Sequence, residues 1–200
     1  MPEARETYLE AAEAYADLVD RLPVDLGGPG APGLGSWDLR ALVGHTSRSL
    51  VTVSTYLAQP AEKVDVPSAA AYYLAIRHLT SGADVDERGR QAGLVLGDDP
   101  HGAVRRLLET VADDLVAAAD EQLLTTLAGG MRLRDYLPTR TFELVVHGTD
   151  IAAAAALDWR PPADALAEAV ALAAEIAVAA GDGVDVLRAL TGRGGQVTVV

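Results

Sequence analysis

Residues 141–150 read TFELVVHGTD. Phe142, Leu144, Val145 and Val146 belong to a buried helix, and Ile151 with a run of alanines continues it. Yet Glu143 and His147 stand four residues apart in this stretch, with Asp150 three further on. At about 100° per residue these groups share a sector of about 80° with Arg140 and Tyr136. Leu133, Leu137, Leu144 and Ile151 flank that stripe on one side, and Val146 and Leu157 on the other. Two readings follow. The stripe is a polar outer face carrying i,i+4 pairs, or it is a metal site. A Glu and a His one turn apart point the same way, and carboxylate with neutral imidazole suits zinc and its neighbours.

Working outward, the pattern predicts a mainly all-α fold. A first helix opens at Pro2 and Glu3 and runs to about Leu22, its apolar positions at helical spacing. Residues 23–36 are too rich in Gly and Pro for a regular element. Ser36 is the expected cap of a second helix that reaches Ala58, with Asp38 in its first turn. Pro67 and Ser68 start a third helix to about Leu79, resuming after Gly82 to Ala92. A fourth runs from Pro100 through Leu124, until TTLAGG breaks it. The helix holding the quoted stretch spans about Leu133 to Leu157. The last opens at Pro161 and Pro162 and closes at Gly181, and GGQVTVV, 194–200, reads as a short C-terminal strand. Long helices with modest loops predict an antiparallel helical bundle in a single domain over 1–200.

Composition narrows the function classes. The chain has 200 residues, half of them hydrophobic but only 4% aromatic, so Leu, Val, Ile and Ala must build the core. A formal net charge of −13 argues against nucleic acid and against an anionic membrane surface. With no cysteine there is no disulfide, thiolate ligand or cysteine nucleophile, so any thiol chemistry needs a thiol from outside. The charged N-terminal stretch and the lack of a long uncharged apolar run predict a cytoplasmic protein. One lysine against fifteen arginines points to a GC-rich bacterial genome.

Two ligands from one helix do not complete a metal site. The other histidines are His45, His78 and His101. His101 at a helix start and His78 near a helix end read as surface residues. His45 sits mid-helix, after Gly44, which admits close approach of another helix or a ligand. It reads as a satisfied core residue or as the missing ligand.

Trp37-Asp38-Leu39-Arg40, with Gly44-His45 after three residues, resembles the first motif of the DinB-like four-helix bundles, and more closely that of the N-terminal domain of mycothiol-dependent maleylpyruvate isomerase. Arg140, Glu143, His147 and Asp150 at their spacing resemble that family's second motif, and RALTGR, 188–193, resembles the stretch after its last bundle helix. The resemblance implies a DinB-like bundle with extra short helices. It implies that His45, Glu143 and His147 bind a divalent metal, usually zinc, and that mycothiol fills the open position in an actinobacterial cytoplasm. The isomerase carries a second domain, expected to be absent here because it would begin at about Val200. Attack of a metal-bound thiolate on a small electrophile in S-transfer or conjugation is therefore expected ahead of isomerisation. A metal-dependent hydrolase of the same fold and a non-enzymatic ligand-binding module are the alternatives. Asp150 is either an outer partner of His147 or a surface carboxylate. Arg140 either holds a substrate anion or pairs with Glu143 or Asp150, and Trp37 is a packing residue. Monomer and homodimer both remain open.

Overall fold

The computed structural model describes residues 3–28, 31–77 and 82–194, with backbone alone over 82–86. Its elements are α1 (Ala4–Asp20), α2 (Leu39–Leu57), α3 (Ala69–Ile76), α4 (Gly82–Val95), α5 (Pro100–Ala117), β1 (Leu123–Thr126), β2 (Gly129–Arg132), α6 (Leu133–Ala154), α7 (Ala163–Ala180) and α8 (Gly183–Leu190). Four of them close a ring: α1 packs on α5 and α6, and α2 packs on the same two. This is the expected antiparallel four-helix bundle. Outside the ring, α4 lies along α2, and α7 packs on α6 and α3.

Aliphatic side chains fill the ring, among them Leu18, Leu42, Leu50, Leu115, Leu133 and Leu137. Tyrosines carry its buried hydrogen bonds. From α1, Tyr8 donates to the Ser49 carbonyl at 3.0 Å and Tyr15 to that of Val43 at 2.8 Å. Tyr136 of α6 donates to Thr52 Oγ1 at 3.0 Å. Each phenol buries its ring and still finds an acceptor, which lets a core poor in Phe and Trp hold together. The β-branched end of α2 stays helical: Val53 is buried, and the Thr52 and Thr55 hydroxyls bond back to the carbonyls four residues earlier.

Several boundaries differ from expectation. Asp38, not Ser36, caps α2, its carboxylate accepting from the Ala41 amide at 2.8 Å. Helix α5 ends at Ala117 instead of reaching Leu124. Arg5 of α1 takes the Leu115 and Ala118 carbonyls at 2.7 and 2.8 Å and so supplies the missing partners at that helix end. The chain then forms an antiparallel hairpin, β1 with β2, in place of a simple break. Its turn lacks the Asn-Gly signal. The Thr126 hydroxyl closes it instead, donating to the Gly129 carbonyl at 2.7 Å and accepting from the Ala128 amide at 3.1 Å. Gly181 ends α7 in the left-handed region as read, but α8 follows where no helix was expected. Apart from Gly194, the strand expected over 194–200 lies outside the described residues.

Gly44 shows what its position requires. A Cβ there would stand 2.2 Å from the Gly93 amide nitrogen and 2.4 Å from the Ala92 carbonyl carbon, so the close approach is by α4. Backbone cannot yield as a flexible side chain does. Gly44→Val should therefore lower stability by about 2 kcal/mol or more, read as a drop in urea midpoint. An unchanged midpoint would show that α4 does not pack there.

Candidate metal centre

The polar stripe of α6 turns inward. Arg140 is only 8% exposed. The side chains of Glu143, His147 and Asp150 are 21, 16 and 29% exposed. The outer-face reading therefore does not describe this helix. Opposite the stripe, α2 presents His45. One ligand atom from each of His45, Glu143 and His147 lies within 4.8 Å of the others. Among the described residues this is the cluster with metal-ligand chemistry. A tetrahedral ion with bonds of about 2.0–2.2 Å holds its donors about 3.4 Å apart, so modest side-chain rotation brings these three into range.

The surroundings fix each group. The Trp37 ring lies 4.4 Å from that of His45, centroid to centroid, which gives this packing residue a direct hand in orienting the imidazole. The His45 and His147 rings meet edge to face at 5.0 Å. His147 Nδ1 stands 3.1 Å from Asp150 Oδ2, and its Nε2 stands 3.3 Å from Glu143 Oε2. Asp150 is thus the partner of the imidazole and not a free surface carboxylate. Tyr73 of α3 donates to Glu143 Oε1 at 2.6 Å. His45 Nδ1 is buried without a hydrogen-bond partner among the described residues. A buried nitrogen with no protein partner is costly. With that imidazole beside a carboxylate and a second imidazole, the three side chains fit a divalent cation.

Charge follows from this packing. Burial, reinforced by the neighbouring His147, pushes the His45 imidazole down to about 4, so it is neutral in ordinary solution. Burial alone would lower His147 too, but the bonds to Asp150 and Glu143 outweigh it and lift the imidazole to about 9. Burial likewise opposes the Glu143 charge, and is overcome by the His147 bond and the Arg140 field, which hold the carboxyl at about 2.

Arg140 forms no ion pair with Glu143 or Asp150, contrary to one of its two expected roles. Its guanidinium instead lies over the Tyr136 and Tyr72 rings, 5.1 and 5.6 Å from their centroids, and its Nε donates to Thr139 Oγ1 at 3.0 Å. His101 is half-buried, not exposed, because the buried Pro100 and Val104 draw its turn against the core. It is not in the cluster. His78 lies outside the described residues. Sequence reasoning missed Tyr73. The pair Tyr72-Tyr73 in an apolar helix signals that buried hydroxyls need partners, but the acceptor sits 70 positions away.

A family model, the mycothiol maleylpyruvate isomerase N-terminal domain, matches residues 8–152, which include both motif segments. No curated protein and no solved structure matches the chain. Among the described residues no helix is long and apolar enough to cross a membrane.

Metal uptake should be coupled to a proton. At about pH 6, His45 is already neutral while His147 is protonated. An ion taking His147 should release close to one proton, and apparent affinity should rise about tenfold per pH unit below the His147 pKa. Calorimetry in two buffers of different ionisation enthalpy measures the release; equal heats in both would exclude His147 as a ligand. The metal-free protein carries the matching signature. Because the folded-state pKa of His147 is raised, its contribution is full below 6.5 and is lost as pH rises through about 9. The denaturation midpoint of the metal-free protein should fall across that window, and a flat profile would contradict the assigned pairing.

Proposed function

The chain belongs to the mycothiol maleylpyruvate isomerase N-terminal domain family, and on that footing we propose that it is a metal-dependent enzyme that uses mycothiol against a small electrophile in the cytoplasm. The observation that carries this reading is the convergence of His45, Glu143 and His147 inside the matched span. Three protein donors leave a tetrahedral ion one position for an incoming group, the arrangement of a catalytic rather than a structural site. When bound, the ion, which we take to be zinc, favours the thiolate of an incoming thiol over its protonated form.

The protein's own groups prepare that event. Asp150 accepts the Nδ1–H of His147, so that once the Nε2 proton shared with Glu143 is released, the Nε2 lone pair is free for the ion. Trp37 braces His45. Arg140, charged and without an acidic partner within ion-pair distance among the described residues, supports a substrate that carries an anionic group. The chain holds no cysteine to compete for the ion. The chemistry is formation of a carbon–sulfur bond between mycothiol and the electrophile. In an addition, the thiol proton ends on the carbon next to the new bond. In a displacement, the leaving group departs with its electron pair. If the bond persists the outcome is S-transfer. If the adduct rotates and then expels the thiolate, the outcome is cis–trans isomerisation.

Two measurements test this. His147→Ala should lose metal affinity by at least about 100-fold while keeping its fold, since the bundle has an aliphatic core of its own. Unchanged affinity would remove His147 from the ligand set, and an unfolded variant would make the ion structural. Mycothiol added to the cobalt-substituted protein should produce a sulfur-to-metal charge-transfer band, with glutathione weaker because the pocket reads the body of the thiol. Absence of the band at saturating mycothiol, with activity toward water alone, would favour a hydrolase.

A further inference from the structure

Tyr73 belongs to α3, a helix outside the four that close the bundle. Its ring is 8% exposed and is held edge-on by Phe142 and Tyr72, at centroid distances of 5.3 and 5.7 Å. That clamp leaves the hydroxyl one direction. It points at α6, 2.6 Å from Glu143 Oε1 and 3.1 Å from the Thr139 carbonyl oxygen. A phenol has one proton to give. The shorter contact is to the carboxylate, so the bond is charge-assisted. The second carboxylate oxygen, Oε2, is the one that faces His147 Nε2. The two oxygens of Glu143 are thus divided between two partners.

We propose that Tyr73 is the positioning residue that makes Glu143 a one-oxygen ligand and so keeps a position of the metal open for the co-substrate. The inference rests on the metal reading given above. A carboxylate free to swing can offer both oxygens to an ion. With three protein residues already present, the extra oxygen would fill the place an incoming thiolate needs. The Tyr73 hydroxyl withdraws Oε1 from that competition. Helix α3 then has a purpose beyond packing, since it carries the one side chain seen to hold the far side of Glu143 among the described residues.

The test uses Tyr73→Phe, which removes the hydroxyl and keeps the ring, and Tyr72→Phe as a control on the same helix. Each is loaded with cobalt(II), and both affinity and visible absorption are recorded. Tyr73→Phe is expected to bind cobalt about 10- to 100-fold more weakly. It should also lose the intense absorption of a four-coordinate ion as the freed carboxylate adds its second oxygen. Tyr72→Phe should keep the parent spectrum. A Tyr73→Phe spectrum identical to the parent overturns the proposal, whatever the affinity. If that variant does not fold, infrared difference spectra of the unaltered protein, metal-loaded minus metal-free, decide. A wide separation of the carboxylate stretches marks one-oxygen ligation and supports the proposal; a narrow one marks two-oxygen ligation and overturns it. Failure of the unaltered protein to take up cobalt is a distinct result: it overturns the metal reading, and this inference with it.

Discussion

A helix that buries an arginine, a glutamate and a histidine on its inner face sets the terms for everything packed around it. Ionised groups taken out of water are costly unless their partners are also brought inside. Around α6 those partners come from separate parts of the chain. Asp150 of the same helix answers His147, Tyr73 of α3 answers Glu143, and the Tyr72 and Tyr136 rings receive the Arg140 charge. From α2 come His45 and, at its start, Trp37. Of the elements added to the four-helix ring, α3 supplies two of these groups, while α4 packs α2 at Gly44 and α7 packs α6.

Such an arrangement makes poor sense as a device for stability alone. A buried ion network is rarely better for stability than an apolar core of equal volume, and often worse. Here the core carries an imidazole nitrogen with no protein partner and an arginine with no acid within ion-pair distance among the described residues. A protein that keeps unbalanced polar groups inside otherwise well-packed helices has a ligand for them to meet. On the proposed reading, a divalent ion would answer the imidazole and an anionic substrate the guanidinium. Membership of the mycothiol maleylpyruvate isomerase N-terminal domain family supplies the context in which both make chemical sense.

The long helices were legible because their apolar residues recur at 3.6-residue spacing, and α7 was legible down to its closing glycine. The α6 stripe was legible because local periodicity places Glu143, His147 and Asp150 together. Whether that stripe faced water or the interior was not, since both readings have the same period. The choice depends on α2, about a hundred residues away in sequence. The failures share a cause. Helix α5 stops early because Arg5, 110 positions from Leu115, takes its last carbonyls, and the hairpin after it is held by the chain following α2, the Thr125 amide donating to the Gln59 carbonyl at 2.7 Å. Tyr73 was invisible for the same reason: a tyrosine in an apolar helix announces a need for a partner, not its address. Interactions within about one turn could be read from the sequence, while those closing over long separations could not.

The central claim is that His45, Glu143 and His147 hold one divalent ion with a position to spare. A crystal of the zinc-loaded protein, with anomalous diffraction recorded on both sides of the zinc absorption edge, tests it directly. The account predicts a single strong anomalous peak within about 2.0–2.2 Å of one atom from each of the three side chains, with a fourth, non-protein ligand completing a tetrahedron. A peak elsewhere, a fourth protein ligand closing the shell, or no peak at these residues in fully loaded protein would contradict it.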